Sequence, residues 1–152
     1  MIIAIASDHA GYRIKKELVE LLSKEYKIID FGTFSEESCD YPDYVKKVVL
    51  AIRNKEADRG ILLCSSGEGV CIVANKFKGI MAGLCYSEEV AGLLSSHNFT
   101  NVICFPTRIK KEITSEMLYK WVKIWLNTPN SDEERHLRRI RKIKEIEEEN
   151  FK

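Results

Sequence analysis

The chain has no apolar run near the roughly 18 residues that a membrane-spanning helix needs. It also has almost no net charge, with 24 Lys and Arg against 23 Asp and Glu leaving +1. Without a long-range field it cannot gather nucleic acid or anionic lipid, so any anion site must be local. Its five cysteines are an odd number and include no C-x2-C pair, which argues against a disulfide framework and against structural zinc. Glycine and proline are scarce, at eight and three, and there is no Gly/Ser linker, internal repeat or low-complexity tract. At 152 residues, a single domain over 1–152 is the expectation. The opening "MIIAIASDHAG" has no basic leader and meets Asp8 after about five apolar residues, too few for a secretory core, so a cytoplasmic address is expected.

What is present is alternation. Short apolar runs at 2–6, 28–31, 60–64, 80–85 and 102–105 are rich in branched residues, as strands buried on both faces should be. Between them, Ile14, Leu18, Leu21 and Leu22, then Val45, Val48, Val49 and Ile52, recur at three- and four-residue steps and predict helices. Ser87, with Glu88 and Glu89 behind it, predicts the start of a helix over 87–96. Strand and helix in turn imply crossovers and a parallel sheet with helices on both faces. The last segment, about 131–149, carries Leu137, Ile140, Ile143 and Ile146 every third residue. That step drifts around a helix of 3.6 residues per turn, so the segment is expected to reach onto a partner subunit.

Ligands of such sheets bind beyond the carboxyl ends of the strands. The polar residues there are Ser7, Asp8 and His9, then Cys64, Ser65 and Ser66, with His97 and Asn98 ahead of strand five and Arg108 beyond it. In "CSSGEGVCIVANK", a helix starting near Gly67 would aim free N–H groups at the strand end, and Gly67 and Gly69 would admit an oxyanion close to the backbone. The same positive end favours thiolate over thiol, lowering a reference pKa of about 8.5, so Cys64 is a candidate base; otherwise it is a small buried hydrophobe. The loop lacks the lysine of a P-loop, has Ile72 where a dinucleotide fingerprint wants a third glycine, and has Val70 where a phosphatase loop wants arginine. Cys39, Cys71, Cys85 and Cys104 are read as packing. Asp8 and His9 suit proton handling or anion binding, though Asp8 equally suits a helix cap. His97 and Asn98 equally suit a helix end. Arg135 and Arg139, four apart and about 6 Å from each other, could grip one phosphate, or form a solvated face neutralised by "EIEEE".

Taken together, "SDHAGYRIKKEL", "DYPDYV", "GILLCSSGEGVCIVANK" and "HNFTNV" resemble the ribose-5-phosphate isomerase B family, which includes the subunits of galactose-6-phosphate isomerase. The likeness runs from residue 2 to about 145. It implies an α/β, three-layer, Rossmann-like (flavodoxin-like) fold with a five-stranded parallel sheet, and sites at the interface of a homodimer, with a tetramer open. It also implies metal-free, cofactor-free aldose-ketose isomerisation of a sugar phosphate. Cys64 matches the base that moves a proton between C2 and C1 through a cis-enediol. The N–H groups from Ser65 through Gly67, Glu68 and Gly69, with Ser66, match the donors to the enediolate. Asp8 and His97 match ring-opening residues, Asn98 and Tyr41 match contacts to hydroxyls, and His9, Arg108, Arg135 and Arg139 match phosphate ligands, some from the second chain. The sequence departs from the family pattern at Ser65, usually glycine, at Met81, commonly arginine, in "FPTR" before Arg108, and in "DEERH" for "DGGRH". The expected substrate is ribose 5-phosphate. Allose or galactose 6-phosphate, a non-catalytic sugar-phosphate binder, and more weakly a nucleotide or flavin carrier are the alternatives.

Overall fold

The computed structural model describes residues 1–151. Strands β1 (Ile2–Ser7), β2 (Lys27–Asp30), β3 (Arg59–Cys64), β4 (Ala82–Leu84) and β5 (Val102–Pro106) alternate with helices α1 (Tyr12–Leu22), α2 (Tyr41–Arg53), α3 (Glu68–Ala74) and α4 (Glu88–Ser96). Two further helices, α5 (Ser115–Asn127) and α6 (Glu134–Asn150), close the chain. The strands pair in parallel in the order β2-β1-β3-β5-β4. Among the described residues, no helix is long and apolar enough to cross a membrane.

Residue parity along the strands sorts the core into two layers. Ile3, Ile5, Ile61, Leu63, Ile103 and Phe105 face α1, α4 and α5, where Leu18, Leu94 and Trp121 meet them. Their neighbours Ala4, Ala6, Leu62, Cys64 and Cys104 face the other way, onto Val45, Val48 and Val49 of α2 and Val70 of α3. Strand β1 sits where the order reverses: α1 carries the chain to β2 on one side, and α2 carries it back to β3 on the other. The loops leaving β1 and β3 therefore diverge and open a crevice at their carboxyl ends.

Two boundaries differ from the sequence reading. The strand expected over 80–85 is only Ala82–Leu84, because β4 is an edge strand paired to β5 alone. Ile80 closes a turn onto Phe77, and the Met81 carbonyl accepts from Asn101 and Val102 just ahead of the ladder. The last helix starts at Glu134 rather than near 131, since the Ser131 hydroxyl accepts from the Glu133 N–H at 3.1 Å and holds a turn there. The helix expected from Ser87 forms as read, with its hydroxyl accepting from the Val90 N–H at 3.2 Å.

Helix α6 lies on neither face of the sheet. The Ser131 N–H donates to Ser96 at the end of α4, and near its far end Glu147 accepts from the Gly79 N–H while Glu148 pairs with Lys78, just ahead of β4. It thus crosses the amino edge of the sheet. Ile140 is buried against the chain, whereas Ile143 and Ile146 are exposed, as a stripe at three-residue spacing requires.

Candidate active site

Cys64 is the last residue of β3 and only 5% exposed, yet its sulfur is not turned wholly into hydrocarbon: the Gly67 N–H donates to Sγ at 3.2 Å. Gly67 caps α3 with φ +75°, a left-handed conformation that costs a side-chain-bearing residue free energy. A Cβ there would also lie 2.6 Å from Leu84 and 2.8 Å from the Phe105 backbone, so glycine is required twice over. The Ser66 hydroxyl accepts from the Glu68 N–H at 3.2 Å, which leaves its own proton to donate. The Glu68 side chain is exposed.

The β5 exit is laced onto this turn. Thr107 and Arg108 donate backbone N–H groups to the Ser65 carbonyl, both at 3.1 Å. The Thr107 hydroxyl sits 3.0 Å from the Cys64 carbonyl and 3.1 Å from that of Ala10, tying the β3 and β1 exits together.

At the β1 exit, Asp8 is buried and its Oδ1 accepts from the N–H groups of Ala10 (2.9 Å) and Gly11 (3.2 Å). It is thus both a turn-forming carboxylate leading into α1 and a wall of the crevice. His9 Nδ1 accepts from the Cys39 N–H at 3.3 Å, so the neutral ring carries its proton on Nε2. The loop that supplies Cys39 is anchored below by Lys15, 1% exposed, which meets both oxygens of Asp30 at 2.6 and 2.7 Å. Asp30 in turn accepts from Gly32, whose carbonyl takes the Ser7 N–H. Tyr41, at the start of α2, lays its ring against Gly69, where a Cβ would meet it at 2.8 Å. Asp8, His9, Cys39 and Tyr41 line an open cleft of about 640 Å³. His9 also lines a second cleft, of about 470 Å³, with Arg108.

The remaining candidates lie elsewhere. His97 caps the carboxyl end of α4, and a helix that crosses between parallel strands ends at their amino edge. Phe99, Thr100 and Asn101, which follow Asn98, share a cleft with Arg59, the first residue of β3. Cys64 ends that same strand five residues on, about 17 Å away at 3.3 Å per residue. Arg135 and Arg139 stand exposed on the first turns of α6, at the same amino edge. Arg135 pairs with Glu133 at 2.5 Å, while among the described residues no carboxylate lies within salt-bridge reach of Arg139 or Arg108. The "EIEEE" run does not neutralise these arginines: Glu147 and Glu148 are spent on Gly79 and Lys78. Met81 also belongs to the amino edge, so that departure does not touch the Cys64 turn.

The chain therefore holds two clusters at opposite ends of its sheet. Asp8, His9, Tyr41, Cys64, Ser65, Ser66, Gly67, Glu68, Gly69 and Arg108 come together at the carboxyl end. His97, Asn98, Arg135 and Arg139 come together at the other. The sequence reading passed over two residues that organise them. Cys39, read as packing, orients His9 through its backbone, for which no side-chain signal exists. His136 is 4% exposed, stacks on His97 with ring centroids 4.0 Å apart, and places Nδ1 2.7 Å from the Ser131 hydroxyl. Burial first, then His97 and Arg135, holds His136 below the ordinary histidine value. Its signal was the i, i+4 pairing with Ile140, which marks the inward face of α6.

Known proteins resemble the chain over nearly its full length. The profile described as Ribose/Galactose Isomerase matches residues 3–143. Ribose-5-phosphate isomerase B of Escherichia coli is 40% identical over 147 residues, covering 96% of each chain. A crystal structure of a ribose 5-phosphate isomerase from Thermotoga maritima superposes with TM-score 0.87 at 48% identity, over 95% of this chain and 97% of that one. Ribose-5-phosphate isomerase B from Mycoplasma genitalium, solved with bound ribulose-5-phosphate, gives TM-score 0.87 at 39% identity over 98% and 97% of the two chains. A sheet whose order reverses at β1, a glycine-capped cysteine turn beyond β3, and these near-full-length likenesses identify the chain as a member of the ribose/galactose isomerase family.

Proposed function

We propose that the chain interconverts ribose 5-phosphate and ribulose 5-phosphate, with Cys64 as the proton-transferring base. The observation that carries this is the Cys64 sulfur, turned toward the Gly67 N–H at the head of α3, at the strand end where the sheet order reverses. The relatives named above for this activity support the substrate. As thiolate, Cys64 takes the proton from C2 of the opened aldose. The C–H electron pair becomes the C1–C2 double bond, and the C1 oxygen takes up the negative charge. The Ser66 hydroxyl, fixed by the Glu68 N–H, and the backbone from Ser65 to Gly69 face that charge. A proton passes between the two enediol oxygens, and return of the Cys64 proton to C1 leaves the ketone at C2. Asp8 and His97 open the ring, Tyr41 and Asn98 bind hydroxyls, and His9, Arg108, Arg135 and Arg139 hold the phosphate.

One chain cannot assemble this list, since its two clusters lie about 17 Å apart across the sheet. The working unit is a homodimer in which the amino edge of one copy closes the carboxyl-edge crevice of the other. The exposed Ile143 and Ile146 on α6 suit such a contact. A cytoplasmic address accompanies this reading, with five unbridged thiols in the chain.

The test is solvent-proton exchange into substrate. Wild type should exchange and interconvert the pentose phosphates, and Cys64→Ala should lose about 10³-fold in both while still binding inorganic phosphate. Faster turnover of allose or galactose 6-phosphate would replace the substrate. No exchange by wild type would leave a binding module instead.

A further inference from the structure

We propose that Arg13 is a further ligand for the substrate's phosphate, held in reserve at the mouth of the site by Glu36. This rests on the reading of the site as one for a sugar phosphate. Arg13 is the second residue of α1, and side chains on a helix lean toward its amino end, here the side of the crevice. Arg13 lines the cleft of about 470 Å³ that also presents His9, Arg108, Ala10, Thr107 and Glu36. Arg13 Nη2 meets Glu36 Oε1 at 3.0 Å, with the two side chains 78% and 57% exposed.

A pair so exposed is worth little, so exchanging its carboxylate for another anion is easy. A phosphate ester carries nearly two negative charges at neutral pH and offers three oxygens, against the single Glu36 oxygen that Arg13 now meets. The charge balance of the cleft makes the role specific. Arg13 and Arg108 bring two guanidinium groups against the one Glu36 carboxylate, and without Arg13 the Arg108 and Glu36 charges cancel. Glu36 serves as an exchangeable counter-ion to the arginine, and it repels the incoming dianion until Arg13 transfers.

The experiment uses the full chain, with inorganic phosphate as probe, measured both by calorimetric titration and as a competitive inhibitor of isomerisation. Arg13→Ala should weaken phosphate about five- to tenfold and raise KM for ribose 5-phosphate by a similar factor with kcat unchanged. Arg13→Lys should recover part of this, Glu36→Gln should tighten phosphate, and raising the salt concentration should shrink all three effects. Phosphate affinity within twofold of wild type in Arg13→Ala, or weakened in Glu36→Gln, would overturn the proposal. Since the titration does not require turnover, a wild type that binds phosphate but does not isomerise ribose 5-phosphate would refute the isomerase assignment while still testing Arg13.

Discussion

The two edges of the sheet are built in different ways. At the carboxyl edge the backbone does the positioning: a left-handed glycine turns an N–H onto Cys64, and a backbone N–H from Cys39 sets the His9 tautomer. The Asp8 carboxylate is folded into its own turn there as well. At the amino edge long side chains stand on the outside of α6, and of the stacked histidines His136 is buried while His97 is exposed. The first edge is rigid enough for proton transfer, where sub-ångström placement matters. The second suits binding of an anion, where reach and charge suffice. The proposed base thus sits at the backbone-built edge, and the proposed roles of the other residues divide between the two edges.

Substitutions at the two edges should break function in different ways. The largest effect is expected from Gly67→Ala, which forces a side chain into φ +75° and against Leu84 and the Phe105 backbone. Strain and overpacking should cost about 2–4 kcal/mol, read by denaturant unfolding, and kcat should fall by at least about tenfold. Near-normal kcat would mean that the turn is not what holds the sulfur. At the other edge, Arg139→Ala should raise KM about tenfold with kcat nearly unchanged, because a phosphate ligand binds ground and transition states alike. Equal loss in kcat would move Arg139 into the chemical step.

The smallest effect concerns pH. Burial, then His97 and Arg135, keeps His136 below its ordinary value of 6.5. The unfolded chain therefore takes up this proton first, so the stability His136 contributes is full above about pH 6.5 and is lost as the pH falls through its folded value. The melting temperature of wild type should drop between pH 7 and pH 5, and His136→Gln should flatten that slope. An unchanged slope would mean that His136 takes up its proton as readily in the fold as in the unfolded chain.

How much could be read from the sequence follows from what each feature is made of. The five branched runs became the five strands, most clearly β1, β3 and β5, because strands buried on both faces must be continuously apolar. Ser87 was readable as a cap because side-chain chemistry makes that turn. The crevice residues after β1 and β3 followed from the rule for sheet ends, but the strand order that brings the two loops together did not. Tertiary contacts set that order, placing β5 beside β3 and leaving β4 at the edge. The separation of His97 from Cys64 was implicit in the parallel crossover, because a helix leading into a parallel strand ends at the amino edge. Cys39 and His136 escaped because one acts through its backbone and the other through a stack between residues 39 positions apart.

The shared site is tested most directly by mixing its halves. Cys64→Ala and Arg139→Ala chains, each with its own tag, are co-expressed, and the doubly tagged dimer is assayed at substrate well below the wild-type KM. One of its two sites then has both clusters intact, so about half of wild-type activity is expected, far above either parent. A mixed dimer no more active than the average of the parents would mean that each chain works alone.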